Sequence, residues 1–372
     1  MTRRWLGTAD LEPLRSWAEV VASGTTGAEL WAQTDAIEDI LRARGGVRLC
    51  DPEDLAADAT VAAVCMVGSP SAMAEVPPSG DEVVMAVQTL QSRLGRNLDA
   101  VVSLDFAGIN AFWPLVAAAQ LDLPVVDSDG MGRILPLVEQ TVYTLGGLRQ
   151  CPMALVGPSG ELLLIDGPET KATERVMRAA IRSAGGWMMC ACYPMSGADL
   201  ARTGLTGTVS RGLSIGRELN AARDAAALEN VLVRRAGAQV LGRGQIVDVE
   251  QRNARSGAAI SNPSSIIIDL FGGAPRALRL EVADSPLAVF VDGALVAAVP
   301  DIPLVIDMAA AAVRDVDRVG VGDQVSVVVC PAAAEWHTPA GRRLVGPQSF
   351  GLGVVHPRPA VADPRTTKER DG

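Results

Sequence analysis

With 372 residues, 48% apolar and 20% charged, the chain is long enough for two domains and too hydrophobic to be disordered throughout. Its formal net charge of −10, without any basic cluster, repels phosphate backbones and excludes nucleic acid as an expected partner. The longest apolar run, residues 60–67 and their neighbours, is far below the roughly 18 residues a membrane span needs, and no apolar stretch follows Arg3 and Arg4, so a secretory signal and a membrane partner are not expected and cytoplasmic is the default location.

The first 150 residues alternate short apolar runs with amphipathic stretches, the pattern of an α/β domain. Strands are expected at 47–50, 61–67, 100–104 and 125–126. Helices are expected at 81–94, where Val83, Val84, Val87, Leu90 and Leu94 share a face before Gly95, at 111–121, and at about 135–145. Strands joined through helices run parallel, so their carboxyl ends open on one edge of the sheet. Three loops then converge there, at 68–75, 105–110 and 127–133, and such an edge is where ligands bind in open parallel sheets.

A hairpin is expected around Gly157-Pro-Ser-Gly160, followed by helices near 174–184 and 210–232. Beyond Gln239 the pattern is almost wholly β, with short runs at 245–249, 265–269, 278–282, 288–291, 295–299 and 324–329. Their close spacing predicts a barrel or sandwich. The glycines at Gly242-Arg-Gly244 and Gly272-Gly273 read as hairpin or bulge positions. The expected domains are therefore an α/β domain over 1–166, with a mostly parallel, Rossmann-like three-layer sheet, and a β-rich domain with a helical insertion over 167–357. A disordered tail is expected over 358–372.

Among polar clusters, Asp127-Ser-Asp-Gly-Met-Gly-Arg133 is the densest. Asp127 and Asp129 could bind a metal or act as general base, the glycines, Gly130 first, allow close backbone approach, and Arg133 could clamp an anionic substrate. Equally, the aspartates could cap the next helix and Arg133 could make a structural ion pair. Asp105 and Asn110 could orient a ring amide or water, or simply cap the helix after them. Glu75 is a weaker contributor from the second-strand loop.

Lysine occurs only at Lys171 and Lys368, and histidine only at His337 and His356, so Schiff-base chemistry, a phosphate-loop lysine and a three-histidine metal site are disfavoured. His337 is the better placed histidine, although no partner is visible for it. None of the six cysteines forms a C-x-x-C pair. Cys50, Cys65 and Cys330 read as buried thiols in apolar runs, whereas Cys190 and Cys192 would share one face of a strand, where a soft-metal or redox role is open.

The segment from Val125 to Arg133, with Met66-Val-Gly-Ser-Pro70, Gly108-Ile-Asn110, Leu213-Ser-Ile-Gly-Arg217, Gly244-Gln-Ile-Val-Asp-Val-Glu250, Val299-Pro-Asp-Ile302 and Gly346-Pro-Gln-Ser-Phe-Gly351, resembles the S-methyl-thiohydantoin desulfurase family, found beside hydantoinase genes. The likeness covers nearly the whole chain and implies an α/β domain followed by a β-rich one. It departs in carrying Asp105 where a glutamate is usual, and in Ser23-Gly-Thr-Thr-Gly27 and Val282-Ala-Asp-Ser285. The resemblance implies a small cyclic amide as partner and hydrolytic C–S (or C–N) cleavage on a thiohydantoin or hydantoin ring. Asp105 or Asp129 would then serve as base, Asn110 as ring donor and Arg133 as substrate anchor. The alternatives are an inactive ligand-binding or regulatory relative, or a subunit of a hydantoinase-type complex. No cofactor is evident, a divalent metal is unsupported by ligand spacing, and a homo-oligomer stays open.

Overall fold

The computed structural model describes residues 4–25, 34–167, 170–250, 264–272, 275–283 and 285–358. The chain divides into two compact units, one of Met1–Ala18 with Thr26–Leu213 and one of Glu19–Thr25 with Ser214–Gly372. Among the described residues no helix is long and apolar enough to cross a membrane. The tail expected to be disordered lies, from residue 359 on, outside the described residues.

The first unit is built on a mixed sheet. Its strands are β1 (Arg4–Leu6), β2 (Val47–Cys50), β3 (Thr60–Gly68), β4 (Ala100–Ser103), β5 (Val125–Asp129), β6 (Met153–Val156), β7 (Leu162–Ile165), β8 (Trp187–Ser196) and β9 (Leu205–Thr206). The order is β1-β2-β5-β4-β3-β8-β6-β7, with β9 added on β5. The four central strands, β2, β5, β4 and β3, run parallel as expected, and the flanking pairs are antiparallel. β3 is buried from Thr60 to Val67 without alternation, the signature of a strand covered on both faces. The helix Asp81–Leu94 buries Val83, Ala86, Val87 and Leu90, one apolar stripe, and ends on Gly95 in the left-handed region. The helix Trp113–Leu121 has almost no exposed face, which explains its alanine-rich sequence.

Several expectations need correction. The helix expected at 135–145 is only Val142–Leu145, because Pro136 interrupts the run and Thr141 starts the turn by accepting from the Thr144 N–H. The helix expected at 210–232 is two, Thr208–Ala221 and Ala225–Val231, broken where the Asp224 carboxylate takes the Ala227 N–H and caps the second. β5 reaches Asp129, so Asp127 and Asp129 sit on a strand rather than in the turn beyond it. β8 was not foreseen. It fills the sheet between β3 and β6.

The second unit carries an antiparallel sheet of β10 (Gln239–Glu250), β11 (Ser264–Leu270), β12 (Ala277–Val282), β13 (Pro286–Val291), β14 (Ala294–Ala298), β15 (Ile302–Asp307), β16 (Ala312–Arg314) and β17 (Gln324–Cys330). Its order is β14-β13-β12-β11-β10-β17-β15-β16, and β13 also approaches β15, so the sheet curls on itself. Ile266, Ile268, Leu278, Leu280, Val289, Val305 and Val327 form its core, contributed at alternate positions of their strands. Asp292-Gly293 closes β13 on β14 with both residues at positive φ, the geometry of a two-residue primed turn.

The glycines of β10 behave as expected. The register shifts between Val240 and Gly242. At Gly244 a Cβ would lie 2.2 Å from the Asp269 carbonyl oxygen and 2.7 Å from Ile268 Cγ2. Gly244→Ala therefore must push β11 away, at a cost of about 1–3 kcal/mol; a lowered urea midpoint with unchanged secondary structure is the expected result.

Candidate active site

The register that pairs Ser103 with Asp129 sets the carboxyl ends of β4 and β5 side by side. The Gly130 N–H donates to the Leu104 carbonyl (3.0 Å) and locks the two ends together. Asp105 and Asp129 are thereby brought to one place, 3% and 0% exposed. Asp129 Oδ1 accepts from the N–H groups of Met131 (2.7 Å) and Gly132 (2.5 Å). Asp129 Oδ2 and Asp105 Oδ1 are buried without a hydrogen-bond partner among the described residues. Such orphaned oxygens are uncommon in a folded protein and mark a place where a ligand or a proton is expected.

Burial first, and the neighbouring Asp129 charge second, hold the Asp105 carboxyl well above the ordinary carboxylate range, against one hydrogen bond from Asn110. Burial also raises Asp129, to about 6, while the Gly132 and Met131 N–H groups and the nearby Thr208 hydroxyl restrain the rise. Two carboxyls with separated affinities are the arrangement that lets one donate a proton while the other accepts. Burial and the Asp129 charge favour the protonated form at Asp105, whereas the Met131 and Gly132 N–H groups favour the ionised form at Asp129.

The other residues singled out from the sequence take different places. Asp127 is consumed by structure. Its Oδ1 accepts from the N–H groups of Val209 (2.9 Å) and Ser210 (3.0 Å), and its Oδ2 pairs with the Ser210 hydroxyl and Arg4, so it caps the helix Thr208–Ala221 from a neighbouring strand. Asn110 clamps the end of β3, with Oδ1 accepting from the Met66 N–H (2.7 Å) and Nδ2 donating to the Met66 carbonyl (3.2 Å). Arg133 is 1% exposed, and its Nε donates to the Ile134 carbonyl, which makes it a core group rather than a surface clamp. Gly130 has both backbone groups engaged, the carbonyl by the Val142 N–H. Its value is space, since a Cβ there would stand 2.6 Å from the Tyr143 ring. Glu75 ends the short helix Pro70–Glu75 in an exposed position and does not share the burial of the acid pair.

Two features beside the acids go beyond the sequence reading. Tyr143 and Tyr193, the only tyrosines in the chain, pack with ring centroids 5.4 Å apart. The Tyr143 hydroxyl is buried without a partner, and burial together with the Asp129 charge pushes this phenol far up. Tyr193, held at positive φ, shares its hydroxyl with Thr144 (2.7 Å) and donates to the Val138 carbonyl (3.0 Å).

The second feature is a trio of thiols. The antiparallel register of β3 and β8 pairs Cys65 with Cys190 and Ala63 with Cys192. The three sulfurs lie within 4.8 Å of one another, all fully buried. Mutual thiol hydrogen bonds and burial push all three well above the ordinary thiol range, and the Asp105 charge adds to the rise at Cys65. Cys192 in turn bears on Tyr143. Carboxyls, phenol and thiols thus form one continuous buried cluster. Cys190 and Cys192 do share a strand face, but their third member comes from a register that spacing alone does not reveal. Three converging thiols have the donor softness that selects a thiophilic ion such as Cu(I) or Zn(II), which would displace the thiol protons on binding.

Protonation of Asp129 links the site to stability. An acid whose folded-state value exceeds its unfolded value, near 4, stabilises the fold in its protonated form. That contribution is whole below about pH 4 and lost as pH rises through about 6. Asp129→Asn keeps an acceptor for the Met131 and Gly132 N–H groups and removes the charge. It is expected to melt above the wild type at pH 8, by a free energy on the order of 3 kcal/mol, and to show a flatter stability profile between pH 4 and 7.

The S-Me-THD-like N-terminal domain matches residues 9–167, and the S-Me-THD-like C-terminal domain matches residues 168–359. A crystal structure of a protein from Chromobacterium violaceum superposes with a TM-score of 0.78 at 23% identity, covering 96% of this chain and 100% of that one, a likeness of fold alone. No curated protein matches the chain. With both domain matches in order and spanning all but the two ends, the chain belongs to the S-methyl-thiohydantoin desulfurase-like family.

Proposed function

We propose that this protein hydrolyses the exocyclic C–S bond of an S-methyl-thiohydantoin-type ring at the buried acid pair. In this reading water adds to the ring C2, the C2–S bond breaks, and the methylthio group leaves as methanethiol while C2 becomes the hydantoin carbonyl. Asp129 takes the proton from the attacking water. Asp105 supplies the proton that the departing sulfur or the ring nitrogen needs. Asn110 acts by holding the end of β3 against the loop that carries Asp105. The Tyr143 hydroxyl, buried and unpartnered, is placed to donate to a ring oxygen or nitrogen.

The observation that carries this reading is the adjacency of an acid pair with orphaned oxygens to a buried trio of thiols. Cys65, Cys190 and Cys192 would hold a soft ion, and such an ion supplies a thiophilic Lewis acid that favours departure of sulfur over departure of nitrogen. The same feature supports C–S cleavage over ordinary hydantoin ring opening.

Release of methanethiol from an S-methyl-thiohydantoin, followed with a thiol reagent on protein loaded with Cu(I) or Zn(II), tests the proposal. Wild-type protein should turn over. Asp129→Asn and Asp105→Asn should each lower kcat by about 10²–10⁴-fold, the range for loss of a positioned acid or base. Cys190→Ser should abolish loading of the thiol trio and turnover together. Absence of thiol release from wild type with either ion would overturn the assignment and leave a ligand-binding relative in its place.

A further inference from the structure

The second compact unit contains a cluster that the acid pair and thiols do not use. Both histidines of the chain converge on one aspartate. Asp301 lies between β14 and β15, His337 in the short helical turn Ala334–His337 after β17, and His356 near the end of the described chain. His337 Nε2 stands 3.0 Å from Asp301 Oδ1 and His356 Nε2 3.2 Å from Asp301 Oδ2. The rings meet edge to face with centroids 5.1 Å apart. The side chains of Asp301 and His356 are 2% and 1% exposed, and that of His337 is 12% exposed, so one corner of the cluster borders solvent.

We propose that Asp301, His337 and His356 form a binding site for a divalent first-row transition ion, zinc by preference, distinct from the soft-ion site of the thiols. Two imidazoles and one carboxylate are a borderline donor set, suited to Zn(II), Co(II) or Ni(II) and unsuited to Cu(I). Three protein ligands leave a fourth, tetrahedral position for water, on the side where His337 borders solvent. Separations of 3.0–3.2 Å between donor atoms are close to those between neighbouring ligands around one ion.

The surroundings set what must change for the histidines to ligate. Binding through Nε2 moves the ring proton to Nδ1, where it needs an acceptor. The His356 Nδ1 lies 3.4 Å from the Arg358 carbonyl oxygen but accepts from the Arg358 N–H at 3.1 Å, so an ion on Nε2 must turn this contact from the N–H to the carbonyl. The Ala332 N–H, 3.0 Å from Asp301 Oδ1, fixes the carboxylate. Two cations oppose an ion and must withdraw as it binds. Arg358 is 3.9 Å from Asp301 Oδ2 with its side chain 55% exposed, and Arg342 Nη2 is 3.5 Å from the His337 Nδ1 on a half-buried side chain. The ion would join three segments that lie 36 and 19 residues apart, and so would clip the C-terminal segment to the β-rich unit.

Titration of metal-free wild-type protein with Co(II), read by its absorption, decides the matter and separates the two sites. The proposal predicts one equivalent with d–d bands of a tetrahedral nitrogen–oxygen set and no sulfur-to-cobalt charge transfer. This equivalent should persist in Cys65→Ser/Cys190→Ser/Cys192→Ser. His356→Gln and Asp301→Asn should weaken it by more than the roughly 10–100-fold typical of an outer-shell partner. In the Cys65→Ser/Cys190→Ser/Cys192→Ser background Zn(II) should raise the melting temperature by several degrees, and adding His356→Gln should abolish that rise. A wild-type protein that takes up no such equivalent, with melting indifferent to Zn(II), would overturn the site and leave a plain hydrogen-bonded staple. Because that reading uses the unaltered chain, misfolding of a variant cannot obscure it.

Discussion

Two carboxylates held side by side below the surface are the constraint around which the first unit is arranged. Like charges in a poorly solvated place resist joint ionisation, so the pair keeps at least one proton at neutral pH unless something positive arrives. The chain offsets part of this cost locally. The turn after β5 aims the Met131 and Gly132 N–H groups at Asp129, and Gly130 leaves room for the Tyr143 ring against the same carboxylate. What stays unpaired is one oxygen on each acid. A sequence selected for stability alone would replace such a pair, and its retention is in keeping with the trade of stability for activity seen at functional sites.

The parallel centre of the sheet was legible because β3 and β4 are continuous apolar runs bounded by turn residues, and the prediction that the loops after β4 and β5 meet follows from parallel strand ends sharing an edge. The partition of labour among the acidic residues was not legible. Asp127 looks as reactive as Asp129 in sequence, yet it is spent on a helix end some 80 residues later, and nothing near it in the chain announces that partner. Asn110 likewise resembled a ligand donor until its amide was found bound to the Met66 backbone in both directions. β8 escaped because Trp187-Met-Met-Cys-Ala-Cys-Tyr193 does not alternate, the weakness of periodicity for a strand buried on both faces. With β8 unseen, the third thiol partner of Cys190 and Cys192 was unseen as well.

The two units concentrate different chemistry. Soft donors and perturbed acids gather in the α/β unit, whereas both imidazoles gather in the β-rich one. In each case the cluster is built from residues rare in the chain: both tyrosines beside the acids, both histidines on Asp301. Scarcity with convergence is a stronger pointer than any local motif here, because chance rarely brings every copy of a residue type to one point. His337 gave no such signal in sequence, since its partners come from a turn 36 residues before it and a segment 19 residues after it.

The central claim, that two carboxyls with raised proton affinities share the ends of β4 and β5, is tested most directly by carbon NMR of the aspartate carboxyls, assigned with the two single asparagine variants and followed through pH. The account predicts that Asp129 titrates near 6 and that Asp105 titrates well above the ordinary carboxylate range. Two signals that both titrate near the ordinary value of about 4 would contradict it, and with it the division of the pair into base and acid.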